Sequence, residues 1–349
     1  VSIQNAQANL KAEGEKLAFD DARNNASGLW NDRLNTIQID QAAAPASLNA
    51  TQKANLTKFY TALYRVFGTP TLYSDTNGEF RSMRQPKNAS GGYPASVDQT
   101  GTVPQRATAK VGDYAFRRTD GSQGGAGNHY TGFSLWDTYR SQTQLLALLA
   151  PKETSDMMQS LVVDGLQCGA FPHWVDGSDD STPMAGDNAL NVIAGAYRFG
   201  ATDFDLVSAA RLTKQSVFDP SSACNDRTSA AGLANFLTAH YLSQGDDGHS
   251  SSATIERVLS DRSAAAFLQA LPASVLNAPS VGVTPDNIGT LYTRAGWWRN
   301  IFDYTNKVIA ARKTDQRLRI VTATNDRLHE PTMFLLEGLK EDDSRIEFH

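Results

Sequence analysis

Gly127-Asn-His-Tyr-Thr-Gly-Phe-Ser-Leu-Trp-Asp-Thr-Tyr-Arg140 is the stretch at which this chain changes character. A glycine-rich loop from Gly121 to Gly127 delivers the backbone to Ser134, a residue type suited to capping a helix. From there apolar residues recur at helical spacing. The pattern predicts helices over Leu135–Leu149, Met157–Leu166, Asn188–Phe199, Phe204–Val217, Ala230–Leu242, Ile255–Leu271 and Leu291–Ile301, separated by Gly, Pro, Asp and Ser clusters. Strand patterns are almost absent from this half. Amphipathic helices joined by polar loops must pack in pairs to cover their apolar faces, as in a solenoid, an α/α toroid or a bundle. No regular short repeat links the pairs, which favours the toroid.

Upstream, Leu56, Phe59, Tyr60, Leu63 and Phe67 also stand at helix spacing, and Gly68 with Pro70 ends that segment. Leu72 to Met83 reads as a hairpin, with Asn77-Gly78 at its turn between Tyr73 and Phe80. The expected fold is therefore mostly α: a partial (α/α)6 toroid with a short β-hairpin region near residues 71–83.

The chain has 349 residues, 40% of them hydrophobic and 20% charged, a balance that can bury one large core or two smaller ones. Net charge is −5, and no run of Lys and Arg interleaves with aromatics, which argues against a nucleic-acid or anionic-membrane partner. The longest apolar run of note, Leu145 to Ala150, falls far short of the ~18 residues of a membrane span. The chain opens at Val1 without a basic and apolar leader pattern, so a preceding segment is expected to have been removed or left unrecorded. Cys168 and Cys224 are compatible with one disulfide or with two separate buried thiols. Sequons at Asn25, Asn49, Asn55 and Asn88 lean toward a secreted or extracellular protein.

Two constellations carry chemistry. In the first, Trp136, Asp137 and Arg140 fall in the opening turns of a helix, where toroid loops face a central hollow. An indole packs on the C–H face of a pyranose while a neighbouring carboxylate accepts hydrogen bonds from vicinal hydroxyls. The competing reading is a core aromatic, with Asp137 bonding helix N-terminal amides and Arg140 pairing nearby. In the second, Phe171-Pro-His-Trp174 leads through the acidic turn Asp176–Asp180 to Met184, Gly186 and Asp187 at the start of another helix. The acidic turn lacks the alternating oxygen ligands of an EF-hand and is read as solvated. His173 beside Trp174 reads first as a packing or hydrogen-bonding residue. The two loops are expected to share a pocket.

These runs resemble glycoside hydrolase family 92. The likeness is carried, in order, by F-Y-T-A-L-Y with S-D-T-N-G-E-F, by F-S-L-W-D-T-Y-R followed by L-L-x-L-L-x-P, by P-H-W with M-x-G-D-x-A-x-x-V-I-A-x-A-Y, and by Y-x-R-A-x-W-W-R-N-I-F-D. Together they span roughly residues 1–303. The resemblance implies a β-sandwich followed by an (α/α)6 domain, and calcium-dependent, inverting, exo-acting hydrolysis of terminal α-mannosides, many of them α-1,2-linked in N-glycans or mannan. It places the terminal mannose against Trp136 and Asp137, and the neighbouring sugar near the loop from Trp174 to Asp187. The expected substrate-binding residues are Trp136, Asp137, Arg140, His173, Trp174 and Asp187. One departure is Asn188, where the family usually carries His after the Gly-Asp-like pair; it bears on the leaving-sugar contact.

Inverting hydrolysis needs a carboxylic acid to protonate the departing oxygen and a carboxylate to activate water. The family's acid lies in an E-G-N-x-W-Q segment, its base in a G-D-x-D-x-G segment, and calcium ligation involves a G-N-E-P segment; none has a counterpart here. His329-Glu330-Pro331 stands in the wrong surroundings for the last of these. The sequence therefore divides into residues 1–303, an incomplete family-like catalytic domain, and a non-matching tail, 304–349. A truncated or frame-altered gene model is the expected cause. No catalytic or metal-ligating residue is assigned, and the chain alone is expected to be inactive. The competing readings are a non-catalytic mannose-binding remnant, a truncated inactive fragment, and an unrelated helical toroid such as a different glycosidase or a terpenoid cyclase, the last disfavoured by the lack of a cyclase's paired carboxylates.

Overall fold

The computed structural model describes residues 2–39, 47–83, 108–125, 127–181, 184–219, 224 and 232–313. Helices α1 (Ile3–Glu13), α2 (Phe19–Leu34) and α3 (Ala50–Val66) come first. Short strands follow: β1 (Thr71–Leu72), β2 (Glu79–Arg81), β3 (Thr108–Lys110), β4 (Phe116–Arg117), β5 (Gln123–Gly124) and β6 (Tyr130–Thr131). The helical half contains α4 (Leu135–Thr138), α5 (Gln142–Leu149), α6 (Pro151–Cys168), the pair β7 (Val175–Asp176) and β8 (Asp179–Asp180), α7 (Asn188–Arg198), α8 (Leu206–Phe218) and α9 (Leu233–Ala239). It continues with α10 (Ser250–Ala270), α11 (Ala273–Leu276), α12 (Pro285–Ala295), a 3-10 turn over Gly296–Ile301, and β9 (Phe302–Asp303) with β10 (Val308–Ile309).

Local sequence sets many of these boundaries. Asn49 and Gln52 form a reciprocal cap on α3, as Thr284 and Asn287 do on α12, satisfying amides that the first helical turn leaves unpaired. Pro151 opens α6 and Pro285 opens α12, at positions where a missing N–H goes unnoticed. The predicted helix over Leu135–Leu149 is broken into α4 and α5 at Ser141, whose φ of 133° no regular helix accommodates. Ser134 sits at the N-cap position, but its backbone carbonyl rather than its side chain receives the Asp137 and Thr138 amides.

The β region near residues 71–83 is present, and Gly78 takes the positive φ (79°) foreseen for its turn. Its two strands do not pair with each other, however. β1 pairs with β6 and β2 with β3, both antiparallel. Two- and three-residue strands hold too few hydrogen bonds to dictate a partner, so packing over α6 decides it.

The main core gathers Leu146, Leu161, Val162, Leu190, Ile193, Phe204, Leu212, Phe267 and Leu268. Here α7 packs on α5, α6 and α10, while α8 packs on α6 and α10, and α12 on α10, the paired-helix layout expected from the sequence. A second core around Phe236, Val258, Trp298 and Ile301 joins α9, α10 and the 3-10 turn. The chain continues across residue 303 without losing contact: Ala310 is buried and its amide donates to Ile301, while the Gln244 amide donates to the Arg312 carbonyl. Cys168, at the end of α6, is disulfide-bonded to Cys224 with their Cα atoms 5.1 Å apart. Among the described residues no helix is long and apolar enough to cross a membrane.

Candidate functional site

The two chemistry-bearing loops meet through backbone. Phe133 and Val175 form an antiparallel bridge, with N···O separations of 2.9 and 3.3 Å. Trp174 therefore stands beside the segment that leads into Trp136. The Trp136 ring is half-buried and Asp137 is exposed at the start of α4, so this pair is not sealed in the core. Arg140 turns back over its own helix. Its guanidinium lies 4.4 Å from the centroid of Trp136 and 4.6 Å from that of Tyr139, and its Nη2 is 2.8 Å from Glu256 on α10.

Glu256 is the residue that sequence reasoning missed. Its carboxylate accepts from the Tyr139 hydroxyl at 3.1 Å and from Arg140 at 2.8 Å. Burial raises its pKa, against the opposing pull of Arg140, Tyr139 and Trp136. Burial and the Glu256 charge together push the Tyr139 phenol up as well, so it remains a hydrogen-bond donor. The available signal was an adjacent Glu-Arg pair inside a helix otherwise rich in Ser and Ala.

The second loop is organised by His173. Its Nε2 is 3.1 Å from Asp187, and its Nδ1 faces Asp180 at 3.8 Å, a charge contact rather than a hydrogen bond. Burial alone would lower the imidazole pKa, but Asp180 and Asp187 outweigh it and hold the value at about 10, so His173 is a cation at neutral pH. Asp187 is itself held below the ordinary carboxylate range: burial is overcome by Arg257, 3.5 Å away, and by His173. The acidic turn is only partly solvated. Asp176 is exposed, whereas Asp180 is 2% exposed at its side chain and accepts the His173 and Trp174 amides. Those two amides account for its burial. Asn188, in the position after Asp187, is 1% exposed and spends its amide on the Ala185 carbonyl, within the start of α7.

Thus Arg140, with the Trp136 ring beneath it, and Asp187, with His173 beside it, are linked by consecutive residues Glu256 and Arg257 of α10, while Asp137 and Trp174 are their chain neighbours. A separate cleft of about 210 Å³ runs along α6, lined by Phe80, Tyr114, Phe116, Arg118, Asp156 and Asp203. Its polar groups are already committed: Arg118 to Asp203, Asp156 to Lys152 and Gln159 to the Asp205 amide. The cleft has the character of a packing gap, and the convergent chemistry lies at the α4 end.

The resemblance implies calcium. Among the described residues no group of three or more His, Cys, Asp or Glu side chains could hold an ion. Asp180, Asp187 and Glu256 are engaged instead by amides, His173, Arg257 and Arg140, a donor set filled by cations and N–H groups. These residues do not fit the metal.

Residues 5–340 match the glycosyl hydrolase family 92 catalytic domain. The chain belongs to that family. Its fold is similar to two family 92 enzymes of Bacteroides thetaiotaomicron. One is the α-mannosidase BT3965, solved with mannoimidazole (20% identity, TM-score 0.66, covering 92% of this chain and 34% of that one). The other is the inverting mannosidase BT2199 (17% identity, TM-score 0.66, covering 94% of this chain and 36% of that one). The chain thus spans about a third of the length of these family 92 structures. No curated protein matches it.

Proposed function

We propose that this family 92 chain forms the sugar-holding face of an exo-acting, inverting α-mannosidase that removes terminal mannose, α-1,2-linked, from N-glycans or mannan. Trp136 presents a flat apolar surface to the terminal mannose and Asp137 accepts from its hydroxyls. His173, Trp174 and Asp187 border the neighbouring sugar. The observation that carries the reading is the Phe133–Val175 bridge, which sets the Trp174 loop beside an accessible Trp136–Asp137 pair at the end of the helices. The Cys168–Cys224 disulfide and the exposed sequon residues Asn25, Asn49 and Asn55 support a secreted protein.

The proton transfers are not assigned to the three buried carboxyls Glu256, Asp187 and Asp261. An inverting pair needs one carboxyl free to donate and a second able to hold water ~6.5–9.5 Å away. Among the described residues, Glu256 is tied to Arg140, Asp187 to His173 and Arg257, and Asp261 to Arg294. The described residues are therefore expected to hold mannosides without supplying the acid and the base, and none of these three carboxylates is left for calcium.

Titration calorimetry with mannoimidazole and with α-1,2-mannobiose, alongside an assay for released mannose, tests both parts. Binding that disappears in Trp136→Ala and Asp137→Ala, with no mannose released, supports the proposal. Failure to bind either ligand sinks the sugar assignment, and mannose release sinks the division of labour.

A further inference from the structure

The bond network around Glu256 reaches further than a single ion pair. Its side chain is 10% exposed, and both carboxylate oxygens are engaged: Oε1 by Arg140 (2.8 Å), whose guanidinium also lies 4.4 Å from the Trp136 ring centroid, and Oε2 by Tyr139 (3.1 Å). A carboxylate so engaged has little capacity left for a sugar hydroxyl. It can act on a ligand only through the groups that it holds.

From the opposite side, Glu256 meets the second loop. Gly186 has φ +90°, and a Cβ placed on it would stand 2.8 Å from the Glu256 Cβ, so the backbone of the 184–187 segment lies directly against this side chain. The next residue on α10, Arg257, takes Asp187, which in turn holds His173. One turn of one helix therefore grips both loops, and α10 is itself fixed in the core against α7 and α12.

We propose that Glu256 is the positioning residue of the site, setting the plane of the Trp136 indole through Arg140 and the standing of Gly186 and Asp187 relative to it. The proposal rests on the sugar reading only for its consequence in binding. The positioning itself is a property of the free protein. A ring packed against a guanidinium that Glu256 anchors keeps one orientation, whereas a ring released from that contact samples several, and misplacement of about 1 Å at a binding group can lower function ~100-fold.

The test uses the whole chain with 15N-labelled tryptophan. The Trp136 indole N–H resonance is assigned by its loss in Trp136→Phe, and spectra are compared for wild type, Glu256→Gln and Glu256→Ala. Glu256→Gln keeps an acceptor oxygen and should leave the resonance near its wild-type position, with mannoimidazole affinity within about threefold of wild type. Glu256→Ala should displace the resonance and weaken mannoimidazole by about tenfold or more. The Trp297 and Trp298 resonances, in the separate core of α9 and α10, should stay in place and report an intact fold. Should Glu256→Ala disturb those as well, Tyr139→Phe supplies a milder release and should shift the Trp136 signal in the same direction. An unmoved Trp136 resonance in the folded Ala or Phe variant overturns the proposal, as does equal loss of affinity in the Gln and Ala variants. If Trp136→Phe leaves mannoimidazole affinity unchanged, the sugar reading fails while the resonance comparison still decides the role of Glu256.

Discussion

Phe133 and Val175 exchange two backbone hydrogen bonds as an isolated antiparallel bridge, and this single ladder step joins the loops that carry Trp136 and Trp174. Val175 is 1% exposed, so its amide has no water to fall back on. Val175→Pro removes that N–H and leaves the Phe133 carbonyl without its donor. We expect a loss of about 1–3 kcal/mol or somewhat more in stability, read from the urea midpoint. Mannoimidazole binding should fall by a larger factor than in Val175→Ala, which keeps the amide. Equal binding in the two variants would show that the bridge does not position the loops.

His173 makes stability depend on pH with a definite sign. Its folded pKa, about 10, lies above the unfolded value of roughly 6.5, so its contribution is present in full below ~6.5 and is lost as pH rises toward 10. Asp187, held below its unfolded value, contributes above ~3.9 and loses that contribution as pH falls through its folded pKa. The stability difference between wild type and His173→Gln, followed by urea melts, should therefore be largest at pH 5–6 and shrink steadily toward pH 10. A difference that grows with pH would contradict the assignment of His173 as a cation.

Arg294 is 1% exposed and meets Asp261 through two bonds of 2.8 Å, with a third from its Nη1 to the Val217 carbonyl. Arg294→Met strands a buried carboxylate and should lower stability by about 3–5 kcal/mol. Asp261 is already pushed up to about 7 by burial despite Arg294, so in the variant it should take up a proton near neutral pH. The double variant Arg294→Met/Asp261→Leu should recover much of the loss. Denaturant melts of the two singles and the double decide this; an additive double variant would count against direct coupling.

The Cys168–Cys224 disulfide closes a sequence separation of 56 residues and fastens the end of α6 three positions before the Phe171 loop. Replacing both by Ser should lower stability by ~2–4 kcal/mol. Reduction of the wild type should shift the urea midpoint by the same amount and leave the double variant unaffected.

The helical half could be read from the chain because long apolar periodicities leave little choice: Leu161 and Leu190 land in the main core, as their spacing requires. The partners of β1 and β2 could not be read, since Thr71 and Arg81 belong to strands of two and three residues that pair with β6 and β3. Within the site, Trp136 and His173 were visible through rarity of residue type beside Asp137 and Trp174. Glu256 was not, because a carboxylate on a long helix reads as a solvent-facing residue. Its burial is created by Arg140 and Tyr139, more than a hundred positions earlier. Asp180 was hidden for a related reason: its hairpin turns it inward onto the amides of His173 and Trp174.

The guanidinium resting on the Trp136 ring gives that ring two unlike sides. One is roofed by a cation whose own charge is spoken for by Glu256, which bars a second flat partner from stacking there. On the proposed sugar reading, a hexose is expected to dock from the opposite side, so the direction of approach, and with it which edge of the sugar turns toward Asp137, would be decided before any ligand arrives.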